Sequence, residues 1–354
     1  MCIDQSIDEL LRCKEVPTVT THSELATMIA SKAAACDDVE ILIQPSVGSG
    51  DWKNELVMFI KPEAFMLSDS EHTARIVDLT LAKLADFDAE VAGVLLIGGA
   101  VLDRLEIMSA HYGMINRLSR TASQSLSDED RAKIAATLDL DISGYDILGG
   151  HEYLAQYPNE TSKDLDKLWF AGRSTKIRSG FYVKTADRGD RKIILVNAFH
   201  PEQLNHFIDP THRIALFLIH SNNGWSALKN SMVGATFPDK AEPGSIRGTL
   251  YANPGEYGFE SVSIANNAVH LSAGPFEGLF EINNFLGKIL KLDPTTTQPH
   301  AVRQMVAQGL TVEQALGSLN NPIVTENPKP TDLFSATEDL DTAAAIEIYA
   351  NYLK

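Results

Sequence analysis

Residues 55–62 read ELVMFIKP and residues 89–99 read AEVAGVLLIGG. The first is an unbroken apolar run stopped by a proline, the pattern of a buried strand. The second has the same character and ends in two glycines. Between them, over roughly 71–86, Ala74, Ile76, Val77, Leu81 and Leu84 recur at helical spacing and predict one amphipathic helix. A further helix is expected over about 100–110, ending at HYG. Strand, helix, strand, helix is the first half of a ferredoxin-like α/β sandwich, an antiparallel sheet with helices over it.

The rest of the chain is arranged around that run. Residues 1–54 read as an N-terminal extension: a helical lead-in with Leu10, Leu11, Leu25 and Met28, then the strand VEILIQP and a joint at GSGDWKN. Residues 55–120 form the first part of the core. Residues 121–198 read as an inserted α+β segment. In it SDEDRAKIAATL opens a helix with a capping box, Ser127 and Asp130, and SGFYVKT and RKIILVNAF flank the turn ADRGD as a hairpin. Residues 199–289 are the second part of the core, starting with the helical HPEQLNHFI and the strand RIALFLIHS. From Ser221 to His270 the chain is rich in Gly, Pro and Asn, and a loop of that length is expected to be functional or disordered. Residues 290–354 form a helical extension, with stretches near 299–318 and 335–353 parted by NPIVTENPKP.

The bulk numbers exclude several classes. The chain has 354 residues, 44% of them hydrophobic, a formal net charge of −17 and a sequence pI near 5.0. That balance repels nucleic acid and anionic membranes, so neither is an expected partner. A local basic pocket for a small phosphate remains compatible with it. Cys2, Cys13 and Cys36 form no CxxC pair and fit a reducing compartment. No apolar run reaches the roughly 18 residues of a membrane span, and the acidic, amphipathic start is unlike a signal peptide. The expectation is a cytoplasmic protein.

The densest chemistry lies between Gly234 and Glu281, in GATFPDKAEPGSIRG and NNAVHLSAGPFEGLFEI. Phosphoryl transfer needs cations around the phosphates, short donors and, in a covalent route, one nucleophile. Lys61 and Arg247 are the cations, and Thr236 and Asn267 the donors. His270 is the nucleophile, because a neutral imidazole is competent near pH 7. Ser272 lies beside it, and Glu281 can orient the ring through the nitrogen that does not attack.

These residues carry a resemblance. N-x-x-H, a serine two residues on and a glutamate eleven residues past the histidine are similar to the active-site signature of nucleoside diphosphate kinases. Asn267, His270, Ser272 and Glu281 fill it. G-x-T-x-P…PGSIRG resembles the family's loop into its nucleotide-binding arginine, which implies phosphate contacts for Thr236 and Arg247, with Pro238 as the loop proline. ELVMFIKPEA resembles the first strand, so Lys61 stands as the family's catalytic lysine. The HY of HYGMINR implies that Tyr112 supports the phosphohistidine. The resemblance runs from Glu55 to about Arg120 and from about Phe199 to Phe285, and Phe199 is the candidate ring to clamp a base.

What the resemblance implies is a ping-pong kinase. A nucleoside triphosphate such as ATP, carried with Mg²⁺ held through its phosphates, phosphorylates His270, and a nucleoside diphosphate collects the group. It also implies a homo-oligomer and no resident metal ligands. Two other readings keep part of it: a phosphohistidine enzyme with a different small acceptor, and a non-catalytic nucleotide-binding protein on the same fold. The chain departs from the family at Leu271 and Ala273, and at its second arginine, where Asn230 stands beside Lys229.

Bland readings stand beside these. A lone histidine is more often structural, and Tyr112 alone reads as a core aromatic with a wet hydroxyl. The run Arg173, Lys176, Arg178, Lys184, Arg188, Arg191 and Lys192 reads as solvated hairpin edges rather than a lid. His151 and Glu152 do not complete H-E-x-x-H, so zinc is not expected. IGGA at 97–100 is a tight turn, not a dinucleotide site.

Overall fold

Leu56, Met58 and Ile60 share one face of a strand, and Val57 and Phe59 share the other. All are buried, so this strand is covered on both sides. The computed structural model describes residues 21–189, 191–326 and 329–354. Leu10, Leu11, Cys2 and Cys13 lie outside the described residues. In chain order the strands used below are β1 (Val39–Ile43), β2 (Asn54–Ile60), β3 (Glu90–Gly98), β4 (Tyr145–Gly149), β5 (Thr175–Arg178), β6 (Phe181–Arg188), β7 (Arg191–Val196), β8 (Arg213–Ser221) and β9 (Val269–Leu271).

The chain divides into two units. The first comprises residues up to Val101 and from Pro210 onward; the second is Leu102–Asp209. The larger sheet of the first unit runs β1-β3-β8-β2-β9, with every neighbouring pair antiparallel. Without the edge strand β1, the order β3-β8-β2-β9 is the ferredoxin-like one. The helix Ser70–Asp86 joins β2 to β3, and Ile246–Ala252 lies between β8 and β9. Capping fixes where these helices begin. Asp69 accepts the Glu71 N–H, and Thr21 closes a capping box with Glu24 on the helix His22–Ala33.

One face of the sheet makes the main core. Leu56, Met58, Phe217 and Ile219 pack there with Leu25 and Ile29 of the helix His22–Ala33 and Ile76, Val77, Leu81 and Leu84 of the helix Ser70–Asp86. That helix stripe is the one read from sequence, save that Ala74 is only half-buried and Thr73 and Thr80 are buried with the stripe. The helix Pro275–Ile282 also packs against β2.

Three expectations change. The helix over 100–110 is two, Gly99–Arg104 and Ile107–His111, parted where Glu106 takes a left-handed φ of 50°. The Gly/Pro/Asn stretch after Ser221 is not a bare loop. It folds into the helical turns Leu228–Val233 and Ile246–Ala252, the latter capped by Ser245. The C-terminal helices are shorter pieces, among them His300–Ala307 and Thr342–Tyr352, gathered on Phe276, Leu279, Val302, Met305 and Ile346. Among the described residues no helix is long and apolar enough to cross a membrane.

The second unit is a sheet of order β4-β7-β6-β5, parallel at β4–β7 and antiparallel elsewhere. Period-two alternation splits its core. Ile194 and Val196 pack with Leu118, Ala122 and Ile134, and Ile193 and Leu195 with Tyr153, Leu165 and Trp169. Its basic run is largely consumed internally. Arg178 pairs with Asp130, Arg188 with Glu160, and Lys184 donates to the carbonyls of Leu168 and Trp169 at a helix C-terminus. Ser127 caps Asp128–Leu138 through the Asp130 N–H, while the Asp130 carboxylate pairs with Arg178 instead of closing the expected capping box.

Phe217 is wholly buried at the centre of the first sheet. Phe217→Ala is expected to cost about 3–5 kcal/mol, the range for a large buried aromatic. Urea unfolding checks it, and a loss below about 1 kcal/mol would contradict the strand register.

Candidate active site

β9 is short, and its register sets Val269, His270 and Leu271 opposite Ile60, Phe59 and Met58. Alternation sends Val269 and Leu271 into the main core and turns His270 to the other face. There the imidazole stacks on Phe59, with ring centroids 4.4 Å apart and planes 20° off parallel. The strand continues through Ser272. Its N–H donates to Val57 O at 3.0 Å, and the Val57 N–H donates to its hydroxyl at 3.0 Å. The Trp225 indole N–H donates to Ser272 O at 2.8 Å.

The helix Pro275–Ile282 brings a carboxylate to this edge. Gly278 lies under the Trp225 ring, where an added Cβ would sit 3.1 Å from it, so glycine lets the helix come close. Glu281 is fully buried. Its Oε1 accepts from His270 Nε2 at 2.7 Å, and its Oε2 accepts from the Ser272 hydroxyl. Since the carboxylate only accepts, His270 carries its proton on Nε2, which leaves the lone pair of the neutral ring on Nδ1. Burial holds the His270 pKa down to about 3. Lys61 and Arg247 push the same way and Glu277 opposes them. The ring is therefore neutral at pH 7.

Cations come from two other elements. Lys61 follows β2, and its Nζ donates to Asn267 Oδ1 at 2.6 Å. Burial lowers its pKa to about 8, with Glu63 opposing and Arg247 adding to the shift. Arg247, in the helix Ile246–Ala252, is buried and donates to Gly234 O at 2.9 Å and Val269 O at 2.8 Å. Its Nε is buried without a hydrogen-bond partner, and burial lowers its pKa to about 10. Gly234 must be glycine: its φ is 96°, and a Cβ would lie 2.5 Å from Ser245 Oγ.

His270, Ser272 and Glu281 are thus in one network, Lys61 and Asn267 in another, and Arg247 bonds the strand that carries His270. Thr236 stands exposed on the loop before Pro238. Asn230 donates to Ser226 Oγ, and Lys229 is paired with Glu338 and Asp339, so both serve local ties. Tyr112 and Phe199 belong to the second unit. Tyr112 lies edge-on to His200 at 5.4 Å, and Phe199 packs against Trp169 at 5.5 Å and Tyr182 at 6.0 Å.

Sequence reasoning passed over two acids. Glu63 Oε1 accepts the N–H groups of Asn267 at 3.2 Å and Ala268 at 3.0 Å, where Ala268 holds a left-handed φ of 64°. Its signal was its place two residues past Lys61. Glu277 sits one helical turn before Glu281, and its Oε2 accepts the Ala273 N–H at 2.5 Å. Its signal was the i, i+4 spacing.

No protein-family model matches the chain. A stretch of 66 residues is 38% identical to the nucleoside diphosphate kinase of Prochlorococcus marinus (strain MIT 9303), covering 19% of this chain and 37% of that protein. The chain therefore spans little more than a third of the length of this curated relative. Solved structures that align with it include nucleoside diphosphate kinases from Encephalitozoon cuniculi and Pyrobaculum aerophilum. Each is 14% identical with a TM-score of 0.33, covering 70% and 66% of this chain and 92% and 94% of theirs. A superposition that loose carries no functional argument. Over that 66-residue stretch the chain is similar to a nucleoside diphosphate kinase.

Partial burial of Lys61 and burial of Arg247 lower the pKa of each, and an anion bound beside them would offset that. A phosphate near Lys61 raises its pKa from about 8 toward the ordinary 10.5, so binding at pH 8 takes up a proton. Calorimetry with tripolyphosphate in buffers of different ionisation enthalpy is expected to show uptake of up to about half a proton. Binding with no buffer dependence would contradict the placement of Lys61.

Proposed function

We propose that this chain is a nucleoside diphosphate kinase-like phosphotransferase. In this reading His270 takes the γ-phosphate of a nucleoside triphosphate and passes it to a nucleoside diphosphate. The observation that carries the reading is the 2.7 Å bond from His270 Nε2 to the buried Glu281. It orients the ring, holds the proton on Nε2 and offers a counter-charge to the imidazolium that forms on phosphorylation.

In the first half-reaction His270 Nδ1 attacks the γ-phosphorus. The N–P bond forms as the bridging P–O bond breaks, and the diphosphate leaves with that electron pair. The second half-reaction is the reverse, with a new diphosphate oxygen as nucleophile. No proton leaves the ring in either direction. Lys61, Arg247, Asn267 and Thr236 are assigned to the phosphate oxygens, and the unpartnered Arg247 Nε is an unused donor for them. This donor set suits an anion, so Mg²⁺ belongs on the nucleotide's own phosphates, where it neutralises charge. The segment shared with the Prochlorococcus marinus enzyme supports this substrate class.

Incubation with γ-labelled ATP and Mg²⁺, with His270→Ala alongside, tests the reading. The expected result is an acid-labile, base-stable label on the parent, at least about a thousandfold weaker in the variant, as for loss of a covalent nucleophile. A chase with GDP, CDP or dTDP is expected to remove it. A stable label that no diphosphate removes points to another small acceptor. Labelling that survives His270→Ala contradicts the assignment.

A further inference from the structure

We infer that Glu277 gates the candidate site: as a neutral carboxylic acid it admits a phosphoryl anion to His270, and as a carboxylate it repels one. This rests on the phosphohistidine reading above and adds to it a residue with no place in that reading.

The geometry begins with the helix Pro275–Ile282. Glu277 and Glu281 are four residues apart, so their side chains share one face. Glu281 is committed to His270 and Ser272. Glu277 folds back over the helix start, and its Oε2 accepts the Ala273 N–H at 2.5 Å. That bond holds the second carboxyl group at the residue next to Ser272, whose hydroxyl donates to Glu281. The charged groups facing it are Glu281 from its own helix, His270 from β9 and Glu338 from the C-terminal segment. Only His270 among them is a base, and that ring is neutral at pH 7. The nearby ammonium of Lys229 is taken by Glu338 and Asp339. Lys61 and Arg247 act on His270.

Two carboxylates on one side of a neutral ring, largely out of water, do not both ionise readily. Glu281 has the hydrogen bonds that favour charge, so the proton resides on Glu277. Burial first, and Glu281 next, push the Glu277 pKa up to about 7. Below that value the pair carries one negative charge, enough to balance an imidazolium. Above it a second charge faces the incoming triphosphate, whose own charge is larger than that of the group transferred. Repulsion of the substrate then outweighs the benefit to the imidazolium, and transfer slows. Glu277 keeps its proton through the step, so the bond-making of the proposed reaction is unchanged.

The sign of the pH effect follows. A carboxyl group whose folded pKa is raised stabilises the fold fully below its unfolded value, and that contribution is lost as pH rises through about 7. Stability and phosphorylation rate therefore fall together in one window. Lys61, with a pKa of about 8, is largely charged throughout it.

The test is the initial rate of His270 labelling from γ-labelled ATP and Mg²⁺ at pH 6.0 and 7.5, with the full chain, Glu277→Gln and Glu277→Ala. Ionisation near 7 predicts a fall of about fourfold in the parent. In both variants the ratio of the two rates is expected to stay within about twofold. Their melting temperatures are also expected to gain on the parent's as pH rises across the window. A labelled parent whose pH dependence persists in both variants overturns the gate alone. A parent that takes no label at either pH overturns the phosphohistidine reading, and the gate with it.

Discussion

A fully buried carboxylate needs partners, and Glu281 finds them in His270 and Ser272. Much of the first unit serves that requirement. β9 is held to β2 so that His270 faces the Pro275–Ile282 helix. Ser272 is clamped on both sides of Val57, and the Trp225 indole fixes its carbonyl. Gly278 lets the helix close the remaining distance. The result is a histidine whose tautomer is set by packing as much as by its own chemistry.

Two cations stand near this pair. Arg247 is buried and Lys61 half-buried, and burial lowers the pKa of each. Glu63 offsets part of that cost while spending its hydrogen bonds on the backbone of Asn267 and Ala268. In the proposed reaction a bound phosphate would offset what remains of it. Stability traded for a prepared site is an ordinary feature of binding and catalysis.

Much of the fold was legible because its signals are local. ELVMFI and RIALFLIHS are long apolar runs, and the 70–86 stripe has one clear period, so the antiparallel α/β sheet follows from them. The break at Glu106 was not legible, since a left-handed glutamate leaves no mark in composition. The helical turns after Ser221 were hidden by their Gly, Pro and Asn content, which reads as loop. At the candidate site, spacing pointed to Glu281, because helix and strand deliver it over a short chain distance. Glu63 and Glu277 were passed over because their contacts are to backbone N–H groups, which any sequence offers. Residue order also said nothing of unit membership, so Tyr112 and Phe199 were read without the His200 and Trp169 side chains they pack against.

Glu281 commits one nitrogen of His270, and the proposed reaction uses the other. Phosphorus-31 and nitrogen-15 NMR of the phosphorylated chain, labelled with ATP and Mg²⁺ and kept alkaline, identifies the nitrogen that bears phosphorus. The expected result is phosphorus on Nδ1 of His270, with Nε2 still protonated. Phosphorus on Nε2, or on a residue other than His270, would contradict it.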